Sequence, residues 1–229
     1  MNNVSEIFNI KIDNEEFFRE ALTHPSYSKD LDLSYNYERM EFLGDAVLKL
    51  SISDILYRTF PEYSEGDMSK IRSIVVSDAI LFEICEKIGL SKLIFLPKHE
   101  EKQGCRKLES VCACAFEAVL GAFYLDKKMP ELLKYIENTF KPYIEDADKN
   151  FEKYNAKAIL QEYTQAQSKT VPVYKLINNS GPAHNQTFET AVFYNEEQIA
   201  TGVGKTKKDS EQHAAYNACL NLGIIKCQK

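Results

Sequence analysis

Hydrophobic residues recur every three or four positions along most of residues 1–150, which is the period of an amphipathic helix. The clearest runs cover residues 17–22, 40–50 and 80–88. Prolines and glycines fall between these runs, where helices are expected to end. Ser64, three positions before Asp67, is typical of a helix start, because its side chain can accept a hydrogen bond from a backbone N–H there. The pattern predicts an all-helical domain.

The pattern changes after a polar, charged stretch at residues 145–155, which we interpret as a linker. A helix is predicted over residues 156–167, then three β-rich runs at 171–177, 186–194 and 198–203, and a second helix at about 206–222. The last two β-rich runs are separated by a turn-like segment at 195–197. The order α-β-β-β-α predicts a small α+β domain in which helices cover one face of an antiparallel sheet.

The composition is typical of a globular protein, since 44% of the 229 residues are hydrophobic and can bury a core. No run of about 18 or more apolar residues is present, and the acidic, polar N-terminus does not resemble a signal peptide. We therefore predict a cytoplasmic protein with no membrane segment. Six cysteines are scattered among apolar positions, which favours reduced and mostly buried thiols. Cys112 and Cys114 stand too close together for the usual zinc-binding pair.

Charge is distributed unevenly along the chain. Residues 1–150 contain 19 Lys and Arg against 27 Asp and Glu, a net charge of −8, whereas residues 151–229 contain 9 against 7, a net charge of +2. The sum is the formal net charge of −6. A carboxylate-rich portion is thus joined to a mildly basic one.

One predicted helix carries several of the carboxylates in an unusual arrangement. Glu38, Glu41 and Asp45 stand at positions i, i+3 and i+7, so they share one helix face. Like charges so placed repel one another, and a cation or a basic partner would offset that cost. The alternative is a solvated acidic stripe with no ligand. Apolar neighbours such as Met40 and Val47 indicate that the stripe lies at the edge of a packed surface.

Several segments resemble the bacterial ribonuclease III family. YERMEFLGDAVL at residues 37–48 resembles the family signature NERLEFLGDAVL, and ALTHPSY at 21–27 is similar to its ALTHxSY. SEGDMSKIRSIVVS at 64–77 is similar to EGxLTxLRxxLVS, and AFEAVLGAFYLD at 115–126 to AFEALxGAxYLD. The last domain resembles the double-stranded-RNA-binding domain that ends these enzymes. The matches follow the family's order and cover roughly residues 5–224.

The resemblance implies both an architecture and an activity. The expected domains are an all-α ribonuclease III endonuclease domain at 5–128, a helical end and linker at 129–153, and an α-β-β-β-α double-stranded-RNA-binding domain at 154–224. The implied activity is hydrolysis of phosphodiester bonds of double-stranded RNA by metal-activated water, leaving 5′-phosphate and 3′-hydroxyl ends. A homodimer with two acidic sites would cut opposite strands, in the processing and decay of rRNA and mRNA precursors.

The resemblance also implies roles for individual residues. Glu41, Asp45 and Glu117 match the metal site, with Asp45 and Glu117 also catalytic, and Glu38 and Glu65 match secondary catalytic positions. Mg²⁺ suits these oxygen ligands, and Mn²⁺ can substitute. Phe42 corresponds to an aromatic residue at the dimer interface, although by its pattern alone Phe42 is a core residue. His24, beside Pro25 at a helix end, is interpreted as structural.

Two residues depart from the family pattern. Cys114 stands where the family has an aspartate metal ligand, three residues before Glu117, and Tyr37 stands where the signature has asparagine. Sulfur is a poor partner for Mg²⁺, so we expect weakened Mg²⁺ binding and better function in Mn²⁺. Either the remaining carboxylates hold a working metal centre, or the protein is a catalytically impaired binder of double-stranded RNA. A redox switch through Cys112 and Cys114 is a further alternative.

The C-terminal domain contains the predicted RNA-binding residues. Lys205, Lys207 and Lys208 crowd the start of the last helix, where backbone donors also attract phosphate. They match the family's GxSKKEAEQxAA, while Gln161 and Glu162 match minor-groove contacts on the first helix, and His184 lies in a matching loop. The domain should read duplex shape and phosphates rather than base sequence. A third hypothesis, a helical metallohydrolase acting on nucleotides, would leave this domain unexplained.

Overall fold

The computed structural model describes residues 2–181 and 186–225, and the chain divides into two compact units, Met1–Asp146 and Ala147–Lys229. The domain boundaries given above, at residues 128 and 154, remain predictions. The helices of the described residues are α1 (Asn2–Phe8), α2 (Glu15–Ala21), α3 (Pro25–Asp30), α4 (Glu38–Thr59), α5 (Glu65–Val75), α6 (Asp78–Ile88), α7 (Lys98–Lys102), α8 (Glu109–Leu125), α9 (Met129–Lys149), α10 (Phe151–Tyr154), α11 (Ala156–Ser168) and α12 (Lys207–Asn221). Two short 3₁₀ helices cover Leu90–Leu93 and Cys105–Lys107. The strands are β1 (Val173–Ser180), β2 (Thr187–Tyr194) and β3 (Glu197–Gly204).

Helix α8 forms the centre of the first unit. Its sequence is apolar on almost every side, as expected of a helix surrounded by others, and most of its residues are buried. Aromatic rings pack around it: the ring centroids of Phe123 lie 5.0 Å from Phe8 and 4.7 Å from Phe18, and Phe116 lies 6.3 Å from Phe140. The core of this unit is therefore built around one buried helix.

Helices α4 and α8 approach each other backbone to backbone. A Cβ atom added at Gly44 would overlap the carbonyl group of Glu117, and one added at Gly121 would overlap the carbonyl oxygen of Met40. Glycine at both positions removes the side-chain atoms that would otherwise keep the two helices apart. This close crossing brings the acidic face of α4 beside Glu117 of α8.

The second unit contains the sheet. Its strands follow the order β1-β2-β3, and both neighbouring pairs are antiparallel. Helix α12 packs against β2 and β3, and α11 packs against α12. Buried Leu160, Val192, Ala214 and Ala218 belong to the core between these elements. The predicted fold class, an all-α domain followed by an α-β-β-β-α domain, is confirmed.

Several local predictions can be compared with the structure. Ser64 caps α5 by accepting from the backbone N–H of Asp67 at 3.2 Å, as predicted. The turn between β2 and β3 is formed by Asn195 and Glu196, both with positive φ, which is the geometry of a tight hairpin. The predicted linker at 145–155 contains the end of α9 at Lys149 and the short helix α10, and the boundary between the two units, after Asp146, falls within it. Its charged residues include good helix formers, which accounts for the helical conformation of much of this segment.

Two predictions made from the composition are consistent with the described residues. In residues 2–181 and 186–225, no helix is both long and apolar enough to cross a membrane. The cysteines in these ranges, Cys85, Cys105, Cys112, Cys114 and Cys219, are all free. Cys227 lies outside the described residues.

Candidate active site

A cleft of about 920 Å³ in the first unit gathers most of the predicted acidic residues. Its carboxylates are Glu38, Glu41, Asp45, Asp78 and Glu117. The first three come from one face of α4, Glu117 comes from α8, and Asp78 is the first residue of α6. The structure therefore brings together four of the five predicted catalytic and metal-binding residues. Glu38, Glu41 and Asp45 are distant from Glu117 in sequence, so it is the crossing of α4 and α8 that brings these four carboxylates together.

Asp78 was not identified from the sequence. It directly follows the family-like segment SEGDMSKIRSIVVS, and Ser77 stands at the N-cap of its helix. The helix start turns the chain so that Asp78 lines the cleft. The position of Asp78 next to this segment was the only sequence signal for a role in the site. An aspartate at a helix start is not a signal by itself, because a negative charge is favourable at any helix N-terminus.

The carboxylates repel one another, and the effect is clearest at Glu117. Burial, followed by the negative charges of Asp45, Glu41 and Asp78, raises the pKa of Glu117 from 4.5 to about 8. Lys49 opposes this shift, and its Nζ lies 2.8 Å from Oδ2 of Asp45. One lysine thus offsets only part of the negative charge, and Glu117 holds a proton at neutral pH.

These residues fit a hard divalent cation, which would replace that proton. Mg²⁺ is held in such sites by one or two protein carboxylates, with waters and substrate phosphate oxygens completing its coordination. Within the described ranges, no group of three or more His, Cys, Asp or Glu side chains is arranged so that it could hold a metal ion without rearrangement or further ligands. An open set of carboxylates from two helices is the donor chemistry that Mg²⁺ accepts, and Glu41, Asp45 and Glu117 are the candidate ligands.

Cys114 lies one helical turn before Glu117 and is half-buried. Burial, the charge of Glu41 and a hydrogen bond to Glu41 raise the pKa of its thiol to about 12. The side chain is therefore neutral and removes one negative charge relative to aspartate. The thiol of Cys112 is engaged elsewhere, because its Sγ donates to the carbonyl oxygen of Arg106 at 3.3 Å. The geometry thus gives the Cys112–Cys114 switch no support.

Glu65 is not brought into this cleft. It is the exposed first residue of α5, and its Oε1 accepts a hydrogen bond from the Ser69 hydroxyl at 2.8 Å. It lines a neighbouring groove of about 420 Å³, while Ser69 and Arg72 line both this groove and the acidic cleft. The predicted catalytic role of Glu65 therefore depends on a substrate or partner that reaches both the groove and the acidic cleft.

Phe42 and His24 occupy distinct environments. Phe42 is 82% exposed at the rim of the cleft, so the interpretation of Phe42 as a core residue is wrong. It lies on the side of α4 that faces away from α8, which helical periodicity alone did not distinguish. His24 is the N-cap of α3, and its Nδ1 accepts from the backbone N–H of Ser26 at 3.2 Å. Burial lowers its pKa. These contacts agree with a structural role.

The second unit presents the predicted RNA-binding residues on its helices. Lys205, Lys207 and Lys208 are exposed around the start of α12, which is capped by Thr206 accepting from Asp209 N–H at 3.0 Å. Gln161 and Glu162 are exposed on α11. Lys157 Nζ and Glu211 Oε2, 2.5 Å apart, join these two helices. His184 lies outside the described residues.

A helical unit with an acidic cleft, followed by an α-β-β-β-α unit with lysines at a helix start, defines the class of a nuclease joined to an RNA-binding domain. Residues 14–144 match the family described as Ribonuclease-III-like, and residues 156–222 match the double-stranded RNA binding motif. The chain belongs to the ribonuclease III family. The predicted enzyme class, a ribonuclease III type endoribonuclease, is confirmed by this membership.

The relatives match almost the whole chain. The protein named Ribonuclease 3 from Streptococcus uberis is 41% identical over 219 residues, covering 94% of each chain. Ribonuclease 3 from Nitratiruptor is 41% identical over 220 residues, covering 94% of this chain and 92% of the relative. Among solved structures, the nuclease domain of ribonuclease III from Campylobacter jejuni is 31% identical with a TM-score of 0.56, and covers 61% of this chain and 97% of that one.

The raised pKa of Glu117 predicts that stabilisation by Mg²⁺ increases with pH. The pKa of Glu117 in the folded protein lies above its ordinary value of 4.5. The protonated carboxyl group of Glu117 therefore contributes to the stability of the fold below pH 4.5, and this contribution is lost as the pH rises through about 8. Cation binding needs the ionised form, so apparent Mg²⁺ affinity should rise by up to about tenfold per pH unit below that pKa. Thermal unfolding with and without Mg²⁺, at about pH 6.5 and pH 8.5, measures this difference. A pH dependence of equal size in Glu117→Gln would contradict the assignment.

Proposed function

We propose that the acidic cleft hydrolyses phosphodiester bonds of double-stranded RNA, with Glu41, Asp45 and Glu117 holding Mg²⁺, for which Mn²⁺ can substitute. The products would have 5′-phosphate and 3′-hydroxyl ends. The observation that carries the proposal is the meeting of these carboxylates from two helices in one cleft, where burial and their mutual repulsion raise the pKa of Glu117 to about 8. A hard divalent cation is the ligand that relieves this repulsion.

The residues of the cleft have complementary roles in this proposal. When bound, Mg²⁺ supplies charge that offsets the phosphate and acidifies a water nucleophile. Asp45 is proposed to orient that water, and Glu38 lies at the exposed end of the same helix face. Arg72 lines the cleft, with its Nη1 donating to Ser53 Oγ at 2.7 Å, and so presents a fixed guanidinium suited to a phosphate. Glu65, in the adjoining groove, is proposed to act when RNA spans both the groove and the acidic cleft.

The second unit is proposed to hold the duplex. Its match to the double-stranded RNA binding motif supports the role of the lysines at the start of α12, where exposed ammonium groups and backbone N–H groups suit phosphates. Gln161 and Glu162 are proposed minor-groove contacts, and His184 a contact of the preceding loop. A metallohydrolase acting on nucleotides would have no use for such a domain. Binding should be salt-sensitive and largely independent of base sequence.

We also propose that the enzyme acts as a homodimer in the cytoplasm, on precursors of rRNA and mRNA. Phe42, Leu50 and Tyr57 are 82%, 65% and 73% exposed along α4. Large apolar side chains so exposed along one helix are typical of an interface. The Campylobacter jejuni relative is described as flexible in the region of its nuclease domain that is involved in dimer formation. Two copies would place two acidic clefts on one duplex, one for each strand.

The test of this function is cleavage of a long RNA duplex in Mg²⁺ and in Mn²⁺. We expect the unaltered protein to cut, and Cys114→Asp to cut roughly tenfold faster in Mg²⁺, because the change adds an oxygen ligand where a neutral thiol stands. The gain should be smaller in Mn²⁺, which tolerates softer ligands. Cys105→Asp, outside the cleft, is the matched control and should leave the rate unchanged.

The same experiment separates the catalytic proposal from the runner-up. If the unaltered protein shortened no RNA in either metal while Cys114→Asp did, the natural chain would be a catalytically impaired binder of double-stranded RNA. Retention of duplex RNA in a gel would then be its remaining activity. The meeting of Glu38, Glu41, Asp45 and Glu117 in the cleft favours the enzyme.

A further inference from the structure

Two basic residues, Lys49 of α4 and Arg72 of α5, line the acidic cleft together with its carboxylates. We propose that Lys49 is an exchangeable counter-ion of Asp45. Its ammonium group occupies this carboxylate until a divalent cation binds there, and then contacts a phosphate of the RNA duplex. The inference rests on the proposed function, in which Asp45 is a ligand of the cation.

The ion pair between Lys49 and Asp45 places a positive charge on a candidate metal ligand. Lys49 follows Asp45 by one helical turn, its Nζ lies 2.8 Å from Oδ2 of Asp45, and the two side chains are 52% and 36% exposed. Pairs with this spacing are common on helix surfaces, but this one lies inside the acidic cleft. A divalent cation bound to Asp45 would repel the ammonium group, so the two positive charges compete for one carboxylate.

The ion pair is weak enough for a divalent cation to displace the lysine. Exposed pairs of this kind contribute little free energy, because water and salt screen both charges. A divalent cation carries twice the charge and has Glu41 and Glu117 as further proposed ligands. The flexible four-carbon stem of Lys49 lets the ammonium group leave Asp45 without any movement of the helix. Binding of the cation is therefore expected to release the ammonium group into the cleft.

Arg72 indicates what the released ammonium group would contact. Its Nη1 donates to Ser53 Oγ at 2.7 Å and its Nη2 to Ser69 Oγ at 3.4 Å. These hydroxyl groups are neutral, so they orient the guanidinium group without neutralising it. The Ser53 hydroxyl also donates to the backbone carbonyl oxygen of Lys49 at 2.6 Å. Arg72 is therefore held by the part of α4 that carries Lys49, and two positive charges arranged in this way suit neighbouring phosphates.

The exchange would make the contribution of Lys49 to RNA binding depend on the metal. Without a divalent cation, Asp45 neutralises the ammonium group, and Lys49 adds no phosphate contact. With the cation bound, the ammonium group is free and adds one contact beside Arg72. The cleft would then hold the duplex more tightly once it contains the metal that the proposed reaction needs.

The first test is Mn²⁺ binding to the full chain, measured at low salt from the electron paramagnetic resonance signal of free Mn²⁺. Lys49→Met keeps an unbranched side chain and removes the charge. It should tighten Mn²⁺ binding roughly fivefold, equivalent to about 1 kcal/mol for loss of the competing ion pair. Lys49→Arg keeps the charge and should bind Mn²⁺ within about twofold of the unaltered protein.

Arg58→Met is the matched control for Lys49→Met. Arg58 forms the same type of ion pair on the same helix, with its Nη2 2.8 Å from Oδ2 of Asp54 and side chains that are 54% and 50% exposed. Arg58 and Asp54 are not among the residues that line the acidic cleft. The control therefore removes one positive charge from α4 and should leave Mn²⁺ affinity unchanged. Equal tightening in both variants would reduce the effect to net charge and overturn the inference.

The second test is the salt dependence of duplex RNA binding. In saturating Mg²⁺, the half-saturating protein concentration in single-turnover cleavage is measured over a range of KCl concentrations, and in EDTA the affinity is measured by fluorescence anisotropy. Each phosphate contact adds roughly one to the slope of log affinity against log salt. Lys49→Met should lower this slope by about one in Mg²⁺ and leave it unchanged in EDTA.

The outcomes distinguish this inference from the proposed function. If the unaltered protein binds Mn²⁺ and cuts RNA, but Lys49→Met binds Mn²⁺ with unchanged affinity, the inference is overturned and the proposed function stands. A slope that falls equally in Mg²⁺ and in EDTA, or in neither, would also overturn it, because the lysine would then not exchange between Asp45 and phosphate. If the unaltered protein binds no divalent cation, the proposed metal site and the inference both fail.

Discussion

Glu117→Gln should lower the rate of duplex RNA cleavage by roughly 100- to 1,000-fold, the loss typical of removing one group that stabilises charge in the transition state. Glutamine keeps the shape of the side chain but cannot ionise, so it is a poor ligand for Mg²⁺. The fold should be unaffected. With a pKa of about 8, Glu117 holds a proton at neutral pH, and glutamine resembles that neutral form.

This prediction is checked by single-turnover cleavage together with thermal unfolding. Glu109→Gln makes the same chemical change on the same helix, at an exposed position outside the cleft, and should cut normally. Duplex RNA should still bind to Glu117→Gln, because the second unit is unchanged. Cleavage at the normal rate by this variant would remove Glu117 from the catalytic site.

Gly44→Ala should destabilise the first unit by about 3 kcal/mol or more and abolish cleavage, although glycine carries no chemistry. The new Cβ would overlap the carbonyl group of Glu117, and it would also lie 3.0 Å from the backbone nitrogen of Gly121. Both neighbours are backbone, so neither can move aside as a side chain could. The helices must separate, which opens the core and moves Glu41 and Asp45 away from Glu117.

Gly66→Ala is the matched control for this substitution. Gly66 also lies in a helix, but the nearest atom to an added Cβ is Ser64 Oγ at 3.7 Å, an ordinary contact. Alanine there should stabilise the protein by about 0.5–1 kcal/mol, because glycine loses more conformational freedom on folding. Thermal unfolding followed by circular dichroism compares the two variants. If Gly44→Ala unfolded at the temperature of the unaltered protein, the close crossing of α4 and α8 would be disproved.

Much of this protein follows from local sequence. Periodicity of three and four predicted helices in the first unit, and β-rich runs between two helices predicted the second, because both patterns depend on neighbours along the chain. The polar stretch at 145–155 contains the boundary between the two units, although much of it is helical. Family-like segments around Glu41, Asp45 and Glu117 indicated the acidic residues and the chemistry.

Tertiary structure alone decided how those residues meet. Helical periodicity places Glu41 and Asp45 on one face, but only the glycine-mediated crossing of α4 and α8 puts Glu117 beside them, because helix packing joins positions far apart in the chain. The same packing adds Asp78 to the cleft and leaves Glu65 in the adjoining groove. Contacts of this kind depend on long-range geometry, which no local pattern encodes.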